Sequence, residues 1–378
     1  MKTMRTILAI ALLGAFMQAA QADINIGVVG SFTGSAATLG ADTKRAVALM
    51  PTSIAGEKVN YISFDDATDP TAAVMSTRKL MTEFNVDAII GPNTNPSAAA
   101  MVQVADEGKT PIIVTTPYFP PKDKGTWAFQ AVQSVGLMVD RIVEDMNERK
   151  VKNVGFIGFA DSWGDLLTSE LQRATQDTNI KLVASERYKR NDTSVTAQVL
   201  KLIAAKPDVI FIGASGTPAA LPQIELRQRG YTGKIYQSHG ASTKEFIQIG
   251  GKSVEGTFIP SSPILVAEQL PDNFQSKKVA NDFNSVYEKA NGPNSRSIFA
   301  AGTWDAWLLL SNAVPAALKS AKPGTPEFRQ ALRDNLEQTK EMVGVHGVYN
   351  MSGNDHNGLD RRARVLIEIK DGRWTYVK

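Results

Sequence analysis

Short apolar runs recur along this chain, separated by helical segments, and few folds accept that alternation. The runs fall at 24–29, 59–64, 86–90, 111–114, 154–159, 181–185, 208–212 and 234–236. Between them, 71–84, 97–107, 137–149, 166–178, 196–204 and 219–229 carry apolar residues at helical spacing. Continuous apolar strands alternating with helices predict parallel sheets covered on both faces, an α/β fold. The punctuation agrees. Gly108 and Gly230 stand just past helical segments, and Asn95-Pro96 and Thr217-Pro218 place a capping residue before a proline.

The alternation comes in two arrays, near 24–115 and 154–259, which suggests two lobes of similar build. After Ser262 the pattern changes to successive helices at 274–290, 298–318 and 326–338, then two late strands at 363–369 and 374–377. Strands that follow a helical block imply a return to a sheet begun earlier. The length of 378 residues fits two to three domains at about 150 residues each.

The first 22 residues read as an export signal. Lys2 and Arg5 precede an apolar stretch at 7–17, and Ala20-Gln21-Ala22 offers small residues at the cleavage positions. The stretch is too short to span a bilayer. With no cysteine in the chain, no lipid can be attached after cleavage. The expected product is periplasmic, soluble and monomeric, without a membrane anchor. Its net charge of +3 before processing falls further when Lys2 and Arg5 leave, so nucleic acid is not an expected partner.

Catalytic patterns are missing. The absence of cysteine excludes thiolate nucleophiles, Cys-based zinc sites and disulfides. No Gly-x-Gly-x-x-Gly follows a strand, and no Gly-x-Ser-x-Gly or His-Glu-x-x-His occurs. The run Gly250-Gly251-Lys252-Ser253 resembles the end of a phosphate-binding loop but has Phe246 in place of the first glycine. His346 and His356 flank a turn with Asp355 and Asp360 nearby; their spacing fits no zinc pattern, and a solvated hairpin is expected. No metal, no cofactor and no enzymatic activity are expected.

What remains are polar residues at strand C-termini, where open parallel sheets bind ligands. The loops are 30–40, 91–97 and 115–121 in the first array, and 159–163, 213–217 and 237–240 in the second. Lys122 and Lys124 are the only cations at their borders. Such loops suit a small carboxylate held by neutral donors and helix N-termini rather than by ion pairing.

These loops also resemble those of a known family. The stretch 24–34 with Gly40, then Phe64-Asp65-Asp66-Ala67-Thr68-Asp69-Pro70, is similar to the start of the periplasmic branched-chain amino-acid-binding proteins of ABC importers. So are Ile89-Ile90-Gly91-Pro92, Asp161-Ser162-Trp163-Gly164, Pro207-Asp208-Val209-Ile210-Phe211 and Gly344-Val345-His346-Gly347. The likeness runs in order from Ile24 to the C-terminus. It implies a type I periplasmic binding protein fold: two Rossmann-like lobes joined by three chain crossings, near Gln133, Ser262 and Val345. Lobe 1 would comprise 23–133 plus 263–345, and lobe 2 would comprise 134–262 plus 346–378. The resemblance also implies a membrane permease as partner.

By the same resemblance, Asn95 and the 115–118 loop match positions that hold a ligand carboxylate, and Trp163 matches a ring that closes over it. His239 stands where amino-acid binders place an acid for the ligand ammonium, and nothing acidic occurs in 237–243. Thr68 and Thr94 match a disulfide of the familiar binders. These departures imply an amine-free acid, aromatic or 2-oxo, as ligand. The candidate ligand residues are Asn95, Thr115, Thr116, Tyr118, Trp163, His239, Ser215 and Phe32. Asn95 can equally be a helix cap. Trp304 and Trp307 are expected in the core, Asp65 and Asp66 as loop braces, and Arg187, Lys189 and Arg190 on a solvated loop. A binder of branched-chain or other apolar amino acids, a ligand-sensing receptor module and a secreted α/β enzyme remain as alternatives.

Overall fold

The structure is a computed structural model that describes residues 23–118 and 125–378. The expected signal segment and the loop cations Lys122 and Lys124 lie outside the described residues. The strands are β1 (Ile24–Gly30), β2 (Ser53–Ile54), β3 (Glu57–Asp65), β4 (Ala88–Ile90), β5 (Ile112–Val114), β6 (Ala128–Gln130), β7 (Asn153–Phe159), β8 (Lys181–Tyr188), β9 (Val209–Gly213), β10 (Lys234–Gln237), β11 (Phe258–Ser261), β12 (Met342–Val343), β13 (Val348–Tyr349), β14 (Val365–Lys370) and β15 (Arg373–Val377). The helices are α1 (Ala37–Val47), α2 (Pro70–Thr82), α3 (Asn95–Glu107), α4 (Val135–Glu148), α5 (Ser162–Thr175), α6 (Thr196–Ala204), α7 (Ala220–Gln228), α8 (Lys244–Gly250), α9 (Lys277–Asn291), α10 (Ile298–Ala317) and α11 (Pro326–Glu337).

Among the described residues these strands form a six-stranded sheet of order β2-β3-β1-β4-β5-β6, a seven-stranded sheet of order β15-β14-β11-β10-β9-β7-β8 and a separate antiparallel pair, β12-β13. In the first, β1 lies parallel between β3 and β4, with Ile26 opposite both Tyr61 and Ala88. In the second, β7 lies parallel between β8 and β9. The late strands return antiparallel: Val365 pairs with Ser261, and β15 folds back on β14. Two α/β lobes with mixed, mostly parallel sheets result.

The first sheet shows why its strands are continuously apolar. Side chains alternate across a strand. Ile24, Ile26 and Val28 face α10 and α11, packing with Leu309, Leu310, Phe328 and Leu332. Val29, Ile89 and Ile112 face α2 and α3, packing with Leu80, Met101 and Val102. Both faces are therefore buried. Trp304 and Trp307, expected in the core, are half-buried on α10 with their ring centroids 5.1 Å apart.

The chain leaves the first sheet after β6, comes back after β11 to pack α10 and α11 against it, and crosses a third time before β14. That third crossing comes later than the expected Val345. Tyr349 and Met351 are buried with Ile24 and Leu309 in the first lobe. His356 stacks on Phe129 at 4.2 Å, and Gln130 donates its N–H to the His356 carbonyl. Residues 346–360 thus stay with the first sheet, and the solvated hairpin expected at His346 and His356 is a packed one.

Candidate functional site

Glycines let the loops at the strand ends approach closely. A Cβ on Gly91, where φ is +125°, would sit 2.0 Å from the Val29 carbonyl, and one on Gly164 would sit 1.9 Å from the Phe159 carbonyl. Neither position tolerates a side chain, so α3 and α5 begin tight against their strands. Asp161 caps α5, accepting from Trp163 N at 2.9 Å. Asp65 braces the loop after β1, accepting from Phe32 N, Thr33 N and Ala67 N. Thr68 serves the same loop, accepting from Ala36 N and donating to the Thr33 carbonyl, while Thr94 pairs with Ser97.

These loops surround a small cavity between the lobes, with room of about 30 Å³ for water-sized groups. Asn95, Thr115 and Thr116 line it from the first lobe; Trp163, Ser215 and His239 line it from the second. Asn95 is not a side-chain cap. Thr94 holds the cap position, while Asn95 donates from Nδ2 to the Pro117 carbonyl at 2.9 Å and accepts at Oδ1 from Ser162 Oγ at 2.6 Å. That last bond ties α3 to α5 across the cleft. Thr115 donates to the Pro92 carbonyl.

Trp163 is buried and meets His239 edge-on, with centroids 5.4 Å apart. Its indole N–H has no partner among the described residues. His239 has no carboxylate beside it. Burial, with a further contribution from His346, pushes its imidazole down to about 4, so the ring is neutral at pH 7.

Two expected residues do not reach the cavity. Phe32 packs beside the first-lobe core cluster, its ring over Gly30. Tyr118 packs against the cluster under α2 and α3, and burial pushes its phenol up to about 12. In both cases apolar surface finds better cover within the lobe than in the cleft.

Two ionisable residues that were not expected there do reach it. Arg190 is not on a solvated loop. It lines the cavity, with Nε 2.6 Å from Asp161 Oδ2, Nη1 3.2 Å from Ser215 Oγ, and its guanidinium 4.2 Å from the centre of the Phe159 ring. The site is therefore not built from neutral donors alone. His346 lines the opposite wall and is 1 % exposed. Asp305 of α10 holds it: Oδ1 accepts from Val345 N at 2.7 Å, while Oδ2 accepts from His346 N at 2.8 Å and from Tyr349 Oη at 2.8 Å, and lies 3.1 Å from His346 Nδ1. Val132, Gln133, Ile298, Phe299 and Leu39 also line the wall, with Asn93, Thr94, Pro117 and Gly240. Among the described residues, no aspartate or glutamate lines it.

Comparison with known proteins agrees with this architecture. The model of a periplasmic binding protein family matches residues 23–372. A Leu/Ile/Val-binding protein homologue of Brucella melitensis is 25% identical over 65% of this chain and 69% of its own length. A leucine-, isoleucine-, valine-, threonine- and alanine-binding protein of Pseudomonas aeruginosa is 23% identical over 84% of this chain and 83% of its own. Among solved structures, an extracellular ligand-binding receptor from Rhodopseudomonas palustris HaA2 is 42% identical, with a TM-score of 0.93 over 94% of this chain and 100% of that one. At 19% identity, a solute-binding protein of an R. palustris ABC transporter, solved with benzoate, shares the fold with a TM-score of 0.79 over 94% of this chain and 96% of its own. This chain belongs to the periplasmic binding protein family and has the type I fold of the Leu/Ile/Val-binding proteins.

Proposed function

We propose that this chain is an exported solute-binding protein that hands a small amine-free carboxylate, an aromatic or 2-oxo acid, to the permease of an ABC importer. The observation that carries the ligand class is the cavity wall: among the described residues it presents Arg190, His239, His346 and the free Trp163 N–H, and no carboxylate. An amino acid would bring an ammonium into this enclosure without a counter-ion, at a cost of several kcal/mol. An acid without an amine brings only the charge that these donors can meet. A solute-binding protein of the same fold was solved with benzoate, which supports this reading.

Closure supplies the mechanism. The cavity is complete only when walls from both lobes meet, so ligand that touches both shifts the population towards the closed form. The lobes hinge at the three crossings, with 23–130 and most of 263–360 in one and 135–261 with 365–377 in the other. The permease would read the closed pair. The protein performs no chemistry on its cargo.

A thermal-shift panel tests the ligand class. A ligand at 100 times its dissociation constant adds about 2.7 kcal/mol of stability, a shift of several degrees. Benzoate or phenylpyruvate is expected to raise the Tm and leucine and valine to leave it unchanged. Stabilisation by leucine or valine, with none by the acids, refutes the proposal.

A further inference from the structure

Asp305 and His346 form a buried pair that carrying the ligand between two walls does not by itself require. Asp305 accepts two backbone N–H groups and the Tyr349 hydroxyl, and burial together with Asp305 holds that hydroxyl protonated. His346 Nδ1, 3.1 Å from Asp305 Oδ2, therefore carries a hydrogen, which leaves Nε2 as the free nitrogen on the cavity side.

The charges facing this ring can be counted. Arg190, from the loop after β8, is matched by Asp161 at 2.6 Å. Tyr349 and His239 are neutral, and no aspartate or glutamate lines the wall among the described residues. Behind the His346 ring, and not among the lining residues, lies the Asp305 carboxylate. A carboxylate ligand adds a second carboxylate in a space from which closure removes water.

We propose that His346 is the ligand's counter-ion, and that a carboxylate enters this site together with one proton. The proton comes from solvent and bonds to His346 Nε2, while Nδ1–H stays on Asp305, so the ring becomes a cation held between two carboxylates. His239 does not take that role, because nothing negative stands behind it and His346 repels its charged form. The inference rests on the proposed carboxylate ligand. It adds a selectivity: monoanions bind with a proton, so affinity falls as pH rises.

Calorimetric titration at pH 8 of the mature protein with benzoate and phenylpyruvate, in phosphate and in Tris, counts the protons. The expected result is a buffer-dependent heat corresponding to uptake approaching one proton per ligand, with Kd rising up to tenfold per pH unit. His346→Gln abolishes the buffer dependence and flattens the pH profile; His239→Gln keeps both. A buffer-independent heat from an acid that binds the unmodified protein overturns the inference, whether or not the variants fold. So does uptake lost in His239→Gln and retained in His346→Gln. Silence from both acids with heat from leucine overturns the ligand class first, and this inference with it.

Discussion

His239 marks the residue-level departure from an amino-acid site, and its environment gives it a measurable signature. A ring held near 4 in the folded protein titrates near 6.5 when unfolded. Its folded value is depressed, so its contribution to stability is full above 6.5 and is lost as pH falls through about 4. The shift corresponds to about 3 kcal/mol. Urea unfolding at pH 7, 5.5 and 4 should show His239→Gln losing less stability than the parent over that window, by about that amount. Equal losses would mean the ring is not buried neutral. At this scale the sequence was partly legible. His239, Trp163, Ser215, Thr115, Thr116 and Asn95 stand at strand ends, where local pattern suffices to find them. Arg190 was hidden because β8 was expected to stop at 185; it runs to Tyr188, which makes Arg190 a strand-end residue too. His346 was hidden because Asp305, the partner that defines it, lies 41 residues away on α10.

At the scale of elements, α5 joins fold to site. Asp161 Oδ1 accepts Trp163 N, and Oδ2 pairs with Arg190, so one carboxylate caps the helix and anchors the cavity's cation. Both groups are largely buried, with side-chain exposures of 16% for Arg190 and 21% for Asp161. Asp161→Ala removes the cap, worth about 1 kcal/mol, and strands a partly buried guanidinium; the expected loss is about 2–4 kcal/mol in urea unfolding, with ligand affinity lost alongside. Asp161→Asn retains a cap and should recover the smaller part. A change in Asp161→Ala below about 0.5 kcal/mol would separate the cap from the site. Element types were well marked by apolar periodicity and by Gly and Pro. Short elements were not: β2, β6, β12 and β13 have two or three residues, and their pairing is set by distant partners.

For the whole molecule, the two βα arrays announced two lobes, and the late strands announced a return to the second sheet. The position of the third crossing did not follow from pattern, because Tyr349 and His356 are held by tertiary packing against Ala131, Phe129 and Glu337. Those contacts keep His346 at the cleft, where the two lobes meet over the ligand space and Ser162 bonds Asn95 across it. The central claim concerns what fills that space. Mass spectrometry of the small molecule released on denaturing protein purified without refolding measures it directly. An aromatic or 2-oxo acid without nitrogen is the predicted cargo; a branched-chain amino acid, released at one per protein, would contradict the account.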